Sequence, residues 1–414
     1  MSGPANVDGA SPIERRTGVN AHVHLPPNFS AFRTTAEAVE RAAAEGLAVL
    51  GGSNYYDFSV YDDLAVLAQG AGLVPLFGLE AICYLPELRD AGVKINDPGN
   101  PGKMYVCGKG LVHLDPLPAD AAERLAVIRA TDEARIGAQV ARLNALFAEG
   151  GVPVDVTVES VVAAVAGRAG VPIPTVHLQE RHVAQAFAEA LAAQVGDDLG
   201  EALERLTGSA PAALDAVSVQ NHLRSSLMKA GKPGYVPEDD AVSLDLVLGL
   251  VVSLGGIPCY PILADGASPV CGFEESVDDL AAWLLAHGVP AVELIPNRND
   301  PVVLSRYVTG LRAAGLVVLA GTEHNTLDMV PMLPECLGGV PLPDDVAATV
   351  WEGACVVAAH QDAVARGEQG FVGPDGTPDP AYPDADARIR AWARTGERLI
   401  QAVLSDHAAA AAER

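Results

Sequence analysis

The chain has 414 residues, 49% of them hydrophobic, enough to bury a large core in one α/β domain or two smaller ones. Its 53 Asp and Glu against 27 Lys and Arg give a formal charge of -26, a surface that repels phosphate backbones and anionic membranes, so nucleic-acid and membrane partners are disfavoured. Six scattered cysteines with no Cys-x-x-Cys pair, a polar start from Met1 to Arg16, and a longest apolar run (Leu244 to Leu254) too short to span a bilayer point to a reduced, cytoplasmic protein.

After a loop-like stretch over residues 1–17, Gly18 and Val19 lead as a strand into Asn20-Ala21-His22-Val23-His24-Leu25. Residues i and i+2 of a strand share a face, so the two imidazoles converge on one point. Neutral imidazoles each offer a lone pair without bringing charge, which suits a divalent metal; the plainer reading is a histidine pair bonded to water or carbonyls. Leu25 to Ser30 is a proline-stiffened loop. Thr34-Thr35-Ala36-Glu37 reads as a capping box opening a helix that Gly46 ends. Leu47 to Leu50 predicts a buried strand, Asp57 to Gln69 a helix, and Leu73 to Leu79 a strand ending in Glu80. This alternation implies a parallel sheet, in which chemistry collects at the carboxyl ends of the strands. His22, His24, Asn54, Tyr55 and Glu80 therefore belong to one rim, with Glu80 placed to join the histidines on a metal.

From Ile82 to about Gly110 the pattern breaks, as in a surface insertion or lid. Helices are expected over Ala119 to Glu149, Thr157 to Arg168, His177 to Gln194, Leu199 to Leu206 and Ala216 to Lys229. Residues 83–235 thus read as a mainly helical insertion between barrel segments 18–82 and 236–370. The strand–helix rhythm returns with a helix from Asp239 to Leu254 and strands at Ile257 to Leu263, Ala291 to Ile295 and Leu316 to Ala320, the last running into Gly321-Thr322-Glu323-His324. Helices from Glu274 to His287 and Pro301 to Ala314 separate these strands, a further helix spans Asp344 to Ala365, and 371–414 reads as a C-terminal loop and helix.

The order of these motifs resembles the polymerase-and-histidinol-phosphatase family of metal-dependent phosphoesterases. His22-x-His24 looks like its first motif and Gly78-Leu79-Glu80 like its Gly-x-Glu motif. Arg181-His182-Val183-Ala184 is similar to its Arg-x-His-Ile-Ala element. Tyr235-Val236-Pro237, then Gly255-Gly256, are similar to its Tyr-Val-Pro and Gly-Gly segments, and Gly321-Thr322-Glu323-His324 occupies the place of Gly-Ser-Asp-x-His. The resemblance spans residues 18–326 and implies a distorted seven-stranded TIM-like (β/α) barrel with metal ligands at strand ends. Departures are equally plain. Ser53-Asn54-Tyr55 stands where the family has Thr-Asp-His, Tyr260-Pro261 where it has His-Pro, and in the last motif Glu replaces Asp with His324 one place early. His22, His24, Glu80 and one of Glu323 or His324, with His182 a further candidate, are enough for one or two ions rather than three.

One divalent ion (Zn, Mn or Fe) on two imidazoles and a carboxylate with an open position is a catalytic arrangement, and His22, His24, Glu80, Glu323 and His324 are its expected members. It would activate water or polarise a substrate oxygen. Arg181, Lys229, Lys232 and Arg298 would offset phosphate charge, and Asn54, Tyr55 and Tyr260 would face the substrate. The favoured reading is a hydrolase, a phosphoesterase acting on a small phosphorylated metabolite. The rivals are a Lewis-acid isomerase or lyase on a sugar or hydroxy acid, and a catalytically inactive binding barrel. An amidohydrolase shares His-x-His on a β/α barrel, but the Tyr-Val-Pro and Gly-Gly pattern argues against it. Self-association into a homo-oligomer is compatible with the sequence.

Overall fold

The computed structural model describes residues 18–237 and 241–413; the expected N-terminal loop and Asp239, where a helix was expected to start, lie outside them. Seven strands form one sheet in chain order: β1 (Gly18–Val23), β2 (Leu47–Asn54), β3 (Val74–Tyr84), β4 (Lys103–Lys109), β5 (Ile257–Ile262), β6 (Ala291–Leu294) and β7 (Val317–Ala320). All pair in parallel except β4, which is antiparallel to both neighbours. All eight residues of β2 are buried, as expected of a strand covered on both faces.

The sheet nearly closes where β7 runs out beside β1. The Thr322 and Glu323 amides donate to the His22 carbonyl (3.1 and 2.9 Å), and the His24 amide donates to the Glu323 carbonyl at 2.8 Å. Gly321 makes this approach feasible, because a Cβ there would sit 2.4 Å from the His22 Cβ.

Helices α1 (Thr35–Ala44) and α2 (Val60–Gly70) cross between the first three strands. Thr34 caps α1 by accepting from the Glu37 amide at 3.1 Å, while the Glu37 carboxylate accepts from the Arg33 amide rather than closing the expected box on Thr34. After a short helix, α3 (Pro86–Asp90), β4 enters the sheet from within the stretch expected as insertion. β3 also runs four residues beyond Glu80.

Helix α4 (Ala119–Glu149) joins two hydrophobic cores. Its first half gives Leu125 and Ile128 to the barrel core, and its second gives Ile136, Leu143 and Phe147 to a helical core. That second core is completed by α5 (Val158–Ala169), α6 (Glu180–Val195), α7 (Leu199–Thr207) and α8 (Ala216–Leu223), with Phe147 edge-on to Phe187 at 5.0 Å. α9 (Leu244–Ser253), α10 (Val277–Ala286) and α11 (Pro301–Ala313) clad the remaining strands. α12 (Asp344–Ala365) packs on β7 and β1, with α13 (Ala385–Ala412) outside it. All six cysteines are buried and unpaired, and among the described residues no helix is long and apolar enough to cross a membrane.

Candidate metal centre and cavity

His22 on β1, His24 just beyond it and Glu80 on β3 meet at the barrel mouth, all three buried. The His22 and His24 Nε2 atoms are 3.3 Å apart, and each is 3.3 Å from Glu80 Oε2. Tetrahedral ligands at about 2.0–2.2 Å from an ion stand about 3.3–3.5 Å apart, so this equilateral triangle has the dimensions of three donors around one divalent cation. Burial would raise the Glu80 carboxyl, and the two imidazoles hold it well below the usual carboxylate range. The Tyr55 hydroxyl donates to Glu80 Oε1, leaving Oε2 to the triangle, and its ring stacks on His24 at 5.4 Å. Burial and the Glu80 charge push the Tyr55 phenol well above its ordinary value, so it keeps its proton. The residues fit a metal.

A second layer orients the first. Glu293 on β6 accepts from His22 Nδ1 at 2.9 Å, which fixes the ring with its Nε2 aimed into the triangle. Its other oxygen is 2.6 Å from the Lys109 ammonium, which also donates to Ser53 Oγ (2.9 Å) and the Ala21 carbonyl (3.1 Å). Burial works against the charged forms, but the contact pairs win: Glu293 is held at about 2 and His22 is raised to about 9. Cys107 approaches the same carboxylate, so that His22, Cys107 and Glu293 form a second buried group of potential ligands, and burial pushes the Cys107 thiol well above its ordinary value.

Several expected site residues point elsewhere. Glu323 and His324 both adopt positive φ (58° and 49°), a sparsely populated region for residues with a Cβ. That turn delivers the Glu323 carboxylate to Arg298 in a two-pronged pair, with Asn325 donating at 2.6 Å, and burial is outweighed so that Glu323 stays ionised. It swings His324 the other way, Nδ1 to Thr322 Oγ1 (2.6 Å) and Nε2 to the Val330 carbonyl (3.1 Å), against Phe32. His182 accepts from the Gln179 amide at 3.0 Å, bonds the Pro27 backbone and packs on Phe29. Both imidazoles have their nitrogens occupied by these bonds and lie outside the His22–His24–Glu80 triangle. Asn54 exchanges two 2.8 Å hydrogen bonds with the Leu25 backbone, Tyr260 donates inward to Glu274 at 2.9 Å, and Lys232 is exposed outside the cavity. None of these three expected substrate contacts lines the cavity described below.

The triangle opens into a cavity of about 630 Å³ between the barrel mouth and the helical core. His24, Tyr55, Glu80, Arg298 and Glu323 line its barrel side, and Glu180, Arg181, Arg224 and Lys229 its helical side.

Two solved structures share this fold. One is a candidate metal-dependent phosphoesterase from Bifidobacterium adolescentis, 19% identical, with a TM-score of 0.51 over 80% of this chain and 94% of that one. The other is an amidohydrolase from Chromobacterium violaceum with bound sulfate and no metal, 17% identical, with a TM-score of 0.52 over 80% of this chain and 96% of that one. At these identities the likeness shows a common fold. No family model and no curated protein matches the chain.

Glu293, Lys109 and Arg224 are absent from the sequence expectations. The signal for the first was present: a carboxylate inside the apolar strand Ala291-Val292-Glu293-Leu294 needs a buried partner. Arg224 carries no such mark, since it lies in a helical stretch and reaches the cavity only through the packing of α8 on α6.

Proposed function

We propose that the protein is a metal-dependent hydrolase that cleaves a phosphate ester of a small metabolite at the barrel mouth. The observation that carries this reading is the 3.3 Å triangle of His22, His24 and Glu80 opening into a cavity lined with cations. A divalent ion held there would lower the pKa of water to about 7 and polarise the ester. Arg298, held charged by Glu323 against the penalty of burial, uses two of its five N–H groups on that partner and has others to offer non-bridging phosphate oxygens. Tyr55 fixes the rotamer of Glu80 and, with Tyr56 and Phe29, walls the centre with aromatic surface that limits water. The kinship of fold with a candidate phosphoesterase supports the same reading.

The test is phosphate release from a panel of phosphorylated metabolites by protein reconstituted with Zn, Mn or Fe. Turnover of at least one member that disappears in Glu80→Ala is expected. Silence across the panel with metal bound would overturn phosphoesterase activity in favour of Lewis-acid isomerase or lyase chemistry.

A further inference from the structure

The charged groups of the cavity are not evenly balanced. Around its wall Lys103 pairs with Asp97 at 3.2 Å, Arg135 with Asp132 at 2.8 Å and Arg298 with Glu323. On the helical side one carboxylate, Glu180, serves both Arg224 and Lys229, the latter at 3.1 Å. Arg181, the next residue, has only the neutral Asn221 as side-chain partner among the described residues, at 3.2 Å. Among the described residues, three cations around one carboxylate leave two net positive charges on the helical side of the cavity, in a chain whose overall charge is -26.

We propose that Arg181, Arg224 and Lys229 form a subsite for a phosphate dianion that anchors the substrate, separate from the His22–His24–Glu80 centre in the same cavity. The charge decides the class: a phosphate monoester dianion neutralises the excess, whereas a single carboxylate leaves half of it. The donors agree, because two guanidinium groups and an ammonium retain N–H groups beyond those used on Glu180 and Asn221, and guanidinium forks match phosphate oxygens. Crowding of like charge is visible in the wall itself. Burial and then the neighbouring Arg224 lower Arg181 to about 10, and burial likewise lowers Lys229. Arg224 projects from a π-helical turn, Arg224–Met228, that follows α8. The substrate class is then a metabolite carrying an anchoring phosphate besides the bond that is cleaved. That last step rests on the proposed hydrolase; the subsite does not.

The experiment uses the full-length protein stripped of metal, titrated calorimetrically with inorganic phosphate at pH 8 and, separately, with acetate. Saturable phosphate binding is expected, weakened about tenfold or more in Arg181→Met and in Arg224→Met, as loss of a charge-assisted bond implies. Arg181→Lys should recover part of it, and His22→Ala should leave it intact. Melting curves confirm that each variant is folded. Absence of saturable binding, equal binding by the Met variants, or equal affinity for acetate would overturn the subsite. Failure of the metal centre would leave phosphate binding unchanged, so the two readings fail separately.

Discussion

Glu274 is a carboxylate with no exposed surface, and burial pushes it up to about 7 although Tyr260 and the Leu263 and Ala264 amides all donate to it. The unfolded chain releases this proton near 4.5, so between 4.5 and 7 the folded state holds more proton than the unfolded one. Stability from this group is complete below the unfolded value and declines as pH rises through 7, by about 3 kcal/mol in total. Urea unfolding of the wild type and Glu274→Gln at pH 5 and pH 8.5 tests it. The stability of the variant relative to the wild type should improve by roughly that amount at the higher pH, and a pH-independent difference would contradict it. At this scale the sequence was informative where a local rule sufficed. The i, i+2 rule brought His22 and His24 together, and the strand-end rule added Glu80. It was uninformative where backbone direction decides. The positive φ of Glu323 and His324 is written in no residue preference, yet it turns one side chain to Arg298 and the other to Val330.

Among the elements, β4 departs furthest from its sequence reading. Lys103 and Lys109 at its ends look like loop residues, yet both are buried, one against Asp97 and the other against Glu293. A strand ending in lysines is compatible with a barrel interior only because each charge has a partner there. Replacing Lys109 by Met would leave Glu293 without its cation inside the barrel. A loss of about 3–5 kcal/mol in unfolding free energy is expected by denaturant titration, and a change within about 0.5 kcal/mol would show the pair to be dispensable. Helices with long amphipathic patterns fared better: α4 and α12 begin and end where the sequence places them. Their periodicity needs no knowledge of partners, whereas a seven-residue strand flanked by glycines and prolines does.

At the scale of the molecule, a nearly closed seven-stranded sheet and a helical core share α4, and the cavity lies between them. The alternation of strands and helices made the parallel sheet legible, and only the resemblance in the order of motifs implied its curling into a barrel. The shared helix was not, because one amphipathic stripe cannot announce that it serves two cores. The same architecture explains why the centre is built from residues 22, 24, 80 and 293: only closure of the sheet brings β1, β3 and β6 to one point. What this architecture is for reduces to whether the triangle holds an ion. The direct measurement is elemental analysis of protein purified without chelator, alongside His22→Ala and Glu293→Gln. About one equivalent of a divalent transition metal per chain is expected, absent in His22→Ala and bound about 10–100-fold more weakly in Glu293→Gln. Less than about a tenth of an equivalent in the wild type after reconstitution, or full occupancy in His22→Ala, would contradict the account.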